Sequence, residues 1–351
     1  MPDLPAKRGK KLNVMILTAK DSLKVFRMTE ERLEAALERY PQVREIAEFF
    51  IVRTTTSYEN DPSWNDADRE IFARGIEDAD ALIGYMFPFE MIAARGRRLK
   101  WIHIIGAGVE HLHPLDWLPE GVALTNNRGA HAPKTYEYAM MAMLMLGNHM
   151  PRLATAQRER RWDAHFVSIV KGGTALIIGA GKQGSAVAKA ARALGVTPVG
   201  VDPLAWADGV WDDIVRPERL RELLPAADYV FLTLPATAET TKFFGRAEFG
   251  LMKESAGLVN ISRGRVLDTD ALIEALDSGK ISGAVLDVFD PEPLPPDSPL
   301  WTAPNLTITP HMGCDDEENY IHRTFDIVMD NLLRLNDGVE LQNKIDPAKG
   351  Y

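Results

Sequence analysis

Short apolar runs alternate with helical patterns from the start of the chain. The run "LNVMIL" (12–17) reads as a buried strand, and "TEERLEAALERY" (29–40) places Leu33, Ala36 and Leu37 on one helical face. The runs "DALIGY" (80–85) and "LKWIHIIGAG" (99–108) predict two more strands. The first part of the chain is therefore predicted to be α/β.

A long apolar helix is predicted from about Lys134, in "KTYEYAMMAMLMLGNHM", with Pro151 marking its end. Its methionines favour core or subunit-interface packing. After Gly172 the alternation becomes regular, and a helix that Asp268 begins and Gly279 ends is one of those between the strands. Near-continuous apolar strands that alternate with helices indicate a parallel sheet covered on both faces. The predicted strands are "TALIIG", "TPVGVD", "DYVFLTL", "GLVNIS", "GAVLDVF" and "LTITP".

A glycine turn joins the first of these strands to a helix. Gly179, Gly181 and Gly184 form G-x-G-x-x-G, in which the first glycine permits a tight turn and the second lets a pyrophosphate approach the backbone. The third lets the helix pack close to the strand. Free amides at the helix start, near Lys182 and Gln183, are predicted to meet the phosphates.

Asp202 ends the next strand and suits an adenosine ribose. A carboxylate there accepts hydrogen bonds from both ribose hydroxyls and repels a 2′-phosphate. Pro203 and Leu204, which follow, supply no cation for such a phosphate. The sequence therefore favours NAD over NADP.

Composition limits the other possibilities. The 351 residues are 46% hydrophobic and 26% charged, with a net charge of −10 spread along the chain, which argues against a nucleic-acid partner. No apolar run reaches membrane-spanning length. Cys314 is the only cysteine, which excludes an intrachain disulfide and indicates a reducing, cytoplasmic compartment. We predict no metal site and no membrane partner.

Three polar residues follow later strands: Arg263 in "NISRGR", Glu292 in "DPEPL" and His311 in "TPHMG". Ligands of an open parallel sheet collect at the carboxyl ends of its strands, so all three are expected to face the nicotinamide region. The arginine fork suits a substrate carboxylate, and histidine suits proton transfer to a carbonyl oxygen. The glutamate suits the second imidazole nitrogen, where it would orient the ring.

These motifs together resemble the D-isomer-specific 2-hydroxyacid dehydrogenase family. The likeness is strongest over residues 259–313, with an Arg-Gly after a buried strand, a Leu-Asp-Val-Phe…Glu-Pro run and a Pro-His pair, and it extends over about residues 100–315. It implies a discontinuous substrate domain (1–127 plus 315–351) and an inserted NAD-binding Rossmann domain (128–314), both doubly wound. It also implies a homodimer with the methionine-rich helix near its interface.

The resemblance assigns roles residue by residue. Arg263 would clamp the substrate, His311 would be the acid/base and Glu292 its partner. The backbone of "IGAGVEHL" would hold the substrate carboxylate through Ala107, Gly108 and Val109. The cofactor would further contact Leu234, Pro235, Thr240, Ile261, Ser262, Asp287, His311 and Gly313.

The expected reaction is NAD(H)-dependent reduction of a small 2-keto acid, such as glyoxylate or hydroxypyruvate, to the D-2-hydroxy acid, or the reverse. Formate oxidation is a weaker alternative, because related proteins that perform it carry an amide where Glu292 stands. An NAD-sensing interaction protein without turnover is the alternative from another class. Core packing is the favoured interpretation of Phe87 and Trp301, and contact with the variable end of the substrate is the alternative for each.

Overall fold

The computed structural model describes residues 11–59, 61–204 and 209–346. The chain divides into two compact units, one of Met1–Ala130 with Asp316–Tyr351 and one of His131–Asp315. The first unit is discontinuous and the second is inserted into it. Both contain a parallel sheet, so the predicted fold class, two doubly wound α/β domains, is confirmed.

The discontinuous unit contains a five-stranded sheet in the order β2-β1-β3-β4-β5, and every strand pair is parallel. The strand order reverses beside β1, which pairs with both β2 and β3. The elements are β1 Leu12–Ala19, α1 Glu30–Arg39, α2 Val43–Ile46, β2 Ala47–Thr54, α3 Asp66–Asp78, β3 Ala81–Gly84, α4 Phe89–Arg95, β4 Trp101–Ile104 and β5 Ala123–Asn126.

The inserted unit contains a seven-stranded parallel sheet in the order β12-β11-β10-β9-β6-β7-β8. Its strand order reverses between β6 and β9, and such a reversal opens a ligand crevice at the carboxyl ends of the two strands. The elements are α5 Ala132–Gly147, α6 Met150–Arg158, β6 Thr174–Ile178, α7 Lys182–Ala193, β7 Thr197–Val201, β8 Asp213–Val215, α8 Leu220–Leu223, β9 Tyr229–Leu232, α9 Arg246–Leu251, β10 Gly257–Asn260, α10 Thr269–Asp277, β11 Gly283–Leu286 and β12 Leu306–Ile308.

All six strands predicted after Gly172 are present, and the Asp268 side chain caps α10 by accepting from the Ala271 amide at 3.3 Å. The prediction that Pro151 ends the long helix is wrong. Helix α5 ends at Gly147, and Pro151 lies in the first turn of α6. Proline has no N–H to donate, and the first turn of a helix needs none, so the residue begins a helix here.

The chain returns to the discontinuous unit in α11, Tyr320–Asp337. Its apolar face packs against the core of that unit through Ile321, Phe325, Val328 and Leu332, all fully buried. Among the residues that the structure describes, no helix combines the length and the apolar character that a membrane span requires.

Candidate functional site

The glycine turn lies between β6 and α7, and a different physical reason explains the glycine at each of its three positions. Gly179 has a φ of +100°, in the region that favours glycine. A Cβ on Gly184 would lie 2.0 Å from the Gly179 carbonyl oxygen, so only glycine lets α7 pack this close. A Cβ on Gly181 would meet nothing within 4 Å. Open space above Gly181, at the amide-rich start of α7, fits a dinucleotide pyrophosphate.

Asp202 follows β7 and faces this turn. Its carboxylate accepts hydrogen bonds from the Ala180 amide at 2.9 Å and from the Leu204 amide at 2.8 Å. The Arg216 guanidinium, which follows β8, donates to the Pro203 carbonyl oxygen. Pro203 and Leu204 do lack a cation, but a cation reaches their loop from the neighbouring strand. Sequence reasoning missed Arg216 because it did not predict the three-residue strand β8.

The other residues predicted to contact the cofactor lie near the same sheet edge. Leu234 packs beside the turn, where a Cβ on Gly179 would come within 2.8 Å of its amide nitrogen. The Thr240 hydroxyl donates to the Pro235 carbonyl oxygen at 2.7 Å, and this hydrogen bond stabilises the loop that contains both residues. The Gln183 side chain donates to the Ile261 carbonyl oxygen at 3.1 Å. The Ser262 hydroxyl turns inward and donates to Asn260 at 2.7 Å.

Arg263, Glu292 and His311 follow β10, β11 and β12, three adjacent strands. His311 Nδ1 lies 2.7 Å from Glu292 Oε2, and Glu292 Oε1 accepts from the Phe289 amide at 2.7 Å. The loop that carries Glu292 approaches the chain at Gly264, the residue after Arg263. A Cβ on Gly264 would lie 1.9 Å from the Phe289 carbonyl carbon, so this close approach requires glycine. The structure therefore brings these three residues to one edge of the sheet.

Electrostatics separate the roles of the histidine and the glutamate. The hydrogen bond from Glu292 raises the pKa of His311, although partial burial and the charge of Arg263 oppose it. Burial raises the pKa of Glu292, but hydrogen bonds from His311 and the Phe289 amide outweigh this and lower it overall. Glu292 is therefore the charged acceptor at Nδ1, and Nε2 is the nitrogen left to exchange a proton.

The turn that carries His311 is held in an uncommon conformation. His311 has a φ of +49°, which costs a non-glycine residue roughly 1 kcal/mol or more. Buried Asp287 compensates by accepting from the Met312 amide at 3.1 Å and the Gly313 amide at 2.9 Å. Burial raises the pKa of Asp287 above its usual value, and the hydrogen bonds from these amides offset this rise only in part. The predicted contact of Asp287 with the cofactor stays a prediction, and the structure adds this supporting role.

Two side chains that sequence reasoning missed complete the support of that turn. The Thr309 hydroxyl donates to Asp287 Oδ1 at 2.6 Å, and the Tyr138 hydroxyl lies 2.7 Å from Thr309 Oγ1. Tyr138 comes from α5, more than 170 residues earlier in the chain. No spacing in the sequence connects it with the histidine turn.

The predicted substrate loop follows β4 in the discontinuous unit. Ala107 and Gly108 are half-buried, whereas the Val109 side chain is buried in the core. Within residues 11–59, 61–204 and 209–346, the amides of Ala107 and Gly108 have no hydrogen-bond acceptor. Adjacent unpaired amides of this kind suit a carboxylate. Phe87 is fully buried in the core, which confirms core packing as the favoured interpretation of this residue.

Comparison with known proteins identifies the family. The profile described as "D-isomer specific 2-hydroxyacid dehydrogenase, NAD binding domain" matches residues 140–313. A glyoxylate reductase from Thermofilum pendens is 31% identical over 259 residues, which are 70% of this chain and 75% of that protein. The chain belongs to the D-isomer-specific 2-hydroxyacid dehydrogenase family.

Other relatives differ in length. The D-3-phosphoglycerate dehydrogenase of Methanocaldococcus jannaschii is 34% identical over 258 residues, 71% of this chain but 48% of that protein. The chain thus spans about half the length of the curated phosphoglycerate dehydrogenases it matches. A solved family member from Xanthobacter autotrophicus Py2, in complex with NADPH and MES, has a TM-score of 0.79 at 25% identity and covers 97% of this chain and 100% of its own.

Proposed function

We propose that this chain reduces a small 2-keto acid to the D-2-hydroxy acid with NADH, and catalyses the reverse. The observation that carries the proposal is the 2.7 Å pairing of His311 Nδ1 with Glu292 at the same sheet edge as Arg263. A bound nicotinamide would supply or accept the hydride. The chain itself supplies binding, orientation and the proton.

Each residue has one task in this proposal. Arg263 grips the substrate carboxylate with its fork and polarises the neighbouring carbonyl. His311 donates a proton from Nε2 to the carbonyl oxygen, or removes it in reverse, while Glu292 holds the ring through Nδ1. The resemblance also assigns the backbone amides of Ala107, Gly108 and Val109 to binding of the substrate carboxylate. A carboxylate partner for the histidine also weighs against formate oxidation.

The relatives suggest the substrate class. The Thermofilum pendens relative is named a glyoxylate reductase, which supports glyoxylate as the substrate. Hydroxypyruvate is the second small keto acid that the family resemblance suggests.

NAD is the proposed cofactor because the carboxylate of Asp202 would repel a 2′-phosphate. Arg216 is the residue that would favour NADP, and the Xanthobacter autotrophicus family member was solved with NADPH. Initial rates with NADH and NADPH at equal concentration test the choice. A preference for NADPH would refute it.

The reaction is tested by following NADH consumption against glyoxylate, hydroxypyruvate, pyruvate, and branched and aromatic 2-keto acids. We expect turnover with one class and its loss in His311→Ala. If no keto acid is reduced while NADH still binds tightly, the NAD-sensing alternative replaces the enzymatic one.

We also propose a cytoplasmic location, because Cys314 is the only cysteine.

We further propose a homodimer. The inserted unit exposes Trp162, Phe166 and Ile169, whose exposed fractions are 95%, 93% and 81%. Met141 and Leu144, three residues apart on α5, are also exposed, and exposed apolar side chains such as these support an interface. Light scattering should give twice the chain mass, and Trp162→Ser with Phe166→Ser should halve it. Leu23→Ser, on the other unit, is the matched control; a monomeric wild type would refute the dimer.

A further inference from the structure

Three consecutive carbonyl groups of the substrate loop are held by side chains and backbone from elsewhere in the discontinuous unit. The Ile105 carbonyl oxygen accepts from the Tyr320 hydroxyl and from Asn127 Nδ2, the latter at 3.1 Å. The Gly106 carbonyl oxygen accepts from the Asn127 amide at 2.9 Å. The Ala107 carbonyl oxygen accepts from Asn126 Nδ2 at 2.6 Å.

These hydrogen bonds fix the direction of the loop amides. In a trans peptide the C=O of one residue and the N–H of the next point in opposite directions. With the Ile105, Gly106 and Ala107 carbonyls held inward, the amides of Gly106, Ala107 and Gly108 point away from these donors. The described part of the chain offers no acceptor to any of these three amides.

The anchoring groups are buried, and Thr324 links Asn127 to Tyr320 by hydrogen bonds. Tyr320 is 1% exposed and Asn127 is fully buried, so water does not reach the loop carbonyls from that side. Asn127 Nδ2 also donates to Thr324 Oγ1 at 2.8 Å. Tyr320 and Thr324 lie one turn apart on α11, which thus ties the last helix of the chain to a loop about 215 residues earlier.

We propose that Tyr320, Asn126 and Asn127 are positioning residues for substrate binding: they lock the three loop carbonyls so that the Gly106, Ala107 and Gly108 amides are preorganised to bind a carboxylate. This inference rests on the proposed function. Nothing in the sequence pattern of α11 suggests such a role, because Tyr320 reads as one more position of its buried face.

The test is Tyr320→Phe, which removes one hydroxyl and keeps the ring. Tyr40→Phe is the matched control, since Tyr40 is half-buried against the same core. We expect the KM for the keto acid to rise about tenfold in Tyr320→Phe, as for the loss of one hydrogen bond of about 1.4 kcal/mol at a buried carbonyl. The KM for NADH should not change in either variant, and kcat should stay within about twofold.

If Tyr320 had a purely structural role, Tyr320→Phe would lower the melting temperature but would not change the KM for the keto acid relative to the KM for NADH. Equal keto-acid KM values in Tyr320→Phe and wild type would overturn the proposal while leaving the proposed function intact. Asn126→Ala, which releases the Ala107 carbonyl, is the second variant and should raise the same KM. The proposal also fails if both KM values rise together.

Failure of the proposed function itself is recognised separately, as wild-type protein that reduces no 2-keto acid. The loop is then tested by calorimetric titration with oxamate, an unreactive carboxylate of similar shape. Binding that weakens about tenfold in Tyr320→Phe but not in Tyr40→Phe would support the positioning role. Equal binding, or no binding by the wild type, would overturn it.

Discussion

Replacing Glu292 by glutamine should move the pH dependence of keto-acid reduction to lower pH. Reduction requires a protonated His311, and the Glu292 carboxylate, 2.7 Å from Nδ1, raises the histidine pKa. Activity is therefore present below that raised pKa and lost as pH rises through it. Glutamine still accepts a hydrogen bond but carries no charge, so the imidazolium is less stable and the loss begins earlier.

The size of the shift follows from the bond and its exposure. Hydrogen bonds to charged groups contribute about 1.5–3 kcal/mol, and one pH unit corresponds to about 1.4 kcal/mol. The His311 side chain is 49% exposed, so screening by water places the effect at the lower end. We expect the midpoint for reduction to fall by about one pH unit.

The assay is kcat/KM for the keto acid, from initial rates of NADH consumption between about pH 5 and about pH 9. Asp297→Asn is the matched control, because it removes an exposed carboxylate from the same connection between β11 and β12. The opposite reaction should change in the opposite sense, since oxidation of the hydroxy acid needs neutral imidazole. A midpoint that stays in place, or moves equally in the control, would refute Glu292 as the partner of His311.

His311→Ala should lower kcat by roughly two to four decades, as removal of a general acid does, with NADH binding measured by fluorescence unchanged; near-normal turnover would contradict its assignment. Asp202→Ala should reduce the ratio of kcat/KM with NADH to kcat/KM with NADPH. Arg216→Ala should lower kcat/KM for NADPH by about tenfold and leave kcat/KM for NADH unchanged. An equal loss of kcat/KM with both cofactors in Arg216→Ala would indicate a structural role. Gly184→Ala should lower the free energy of unfolding by more than about 2 kcal/mol, because its Cβ would lie 2.0 Å from the Gly179 carbonyl oxygen. Gly181→Ala should have the melting temperature of the wild type but bind NADH weakly. A lower melting temperature for Gly181→Ala than for Gly184→Ala would show that the roles of the two glycines are misassigned.

The strands of the inserted unit could be predicted because parallel strands buried on both faces are nearly continuous apolar runs. The residues Val230, Phe231 and Leu232 of β9, all fully buried, illustrate this. Strand β8 does not have such a run, since Asp213 is exposed at the edge of the sheet. Arg216, which would favour NADP, was missed together with this strand.

The three catalytic candidates were predictable for a different reason. Each lies within three residues of the end of a predicted strand, and the carboxyl ends of parallel strands share one edge of a sheet. The groups that support them were not. Tyr138 reaches Thr309 across 171 positions of the chain and Tyr320 reaches Ile105 across 215, and no local pattern encodes contacts at such separations.

The packing of the loop after β4 also depends on contacts that the sequence does not reveal. Phe87 is fully buried, in agreement with its favoured interpretation as a core residue. Two residues earlier, the Tyr85 ring lies over Gly106, where an added Cβ would come within 2.8 Å of it, and His111 packs on that ring at 4.5 Å. A larger residue at Gly106 or a smaller ring at position 85 would therefore reshape the loop that presents the amides of Ala107 and Gly108. Such packing around a backbone loop is not revealed by residue types alone.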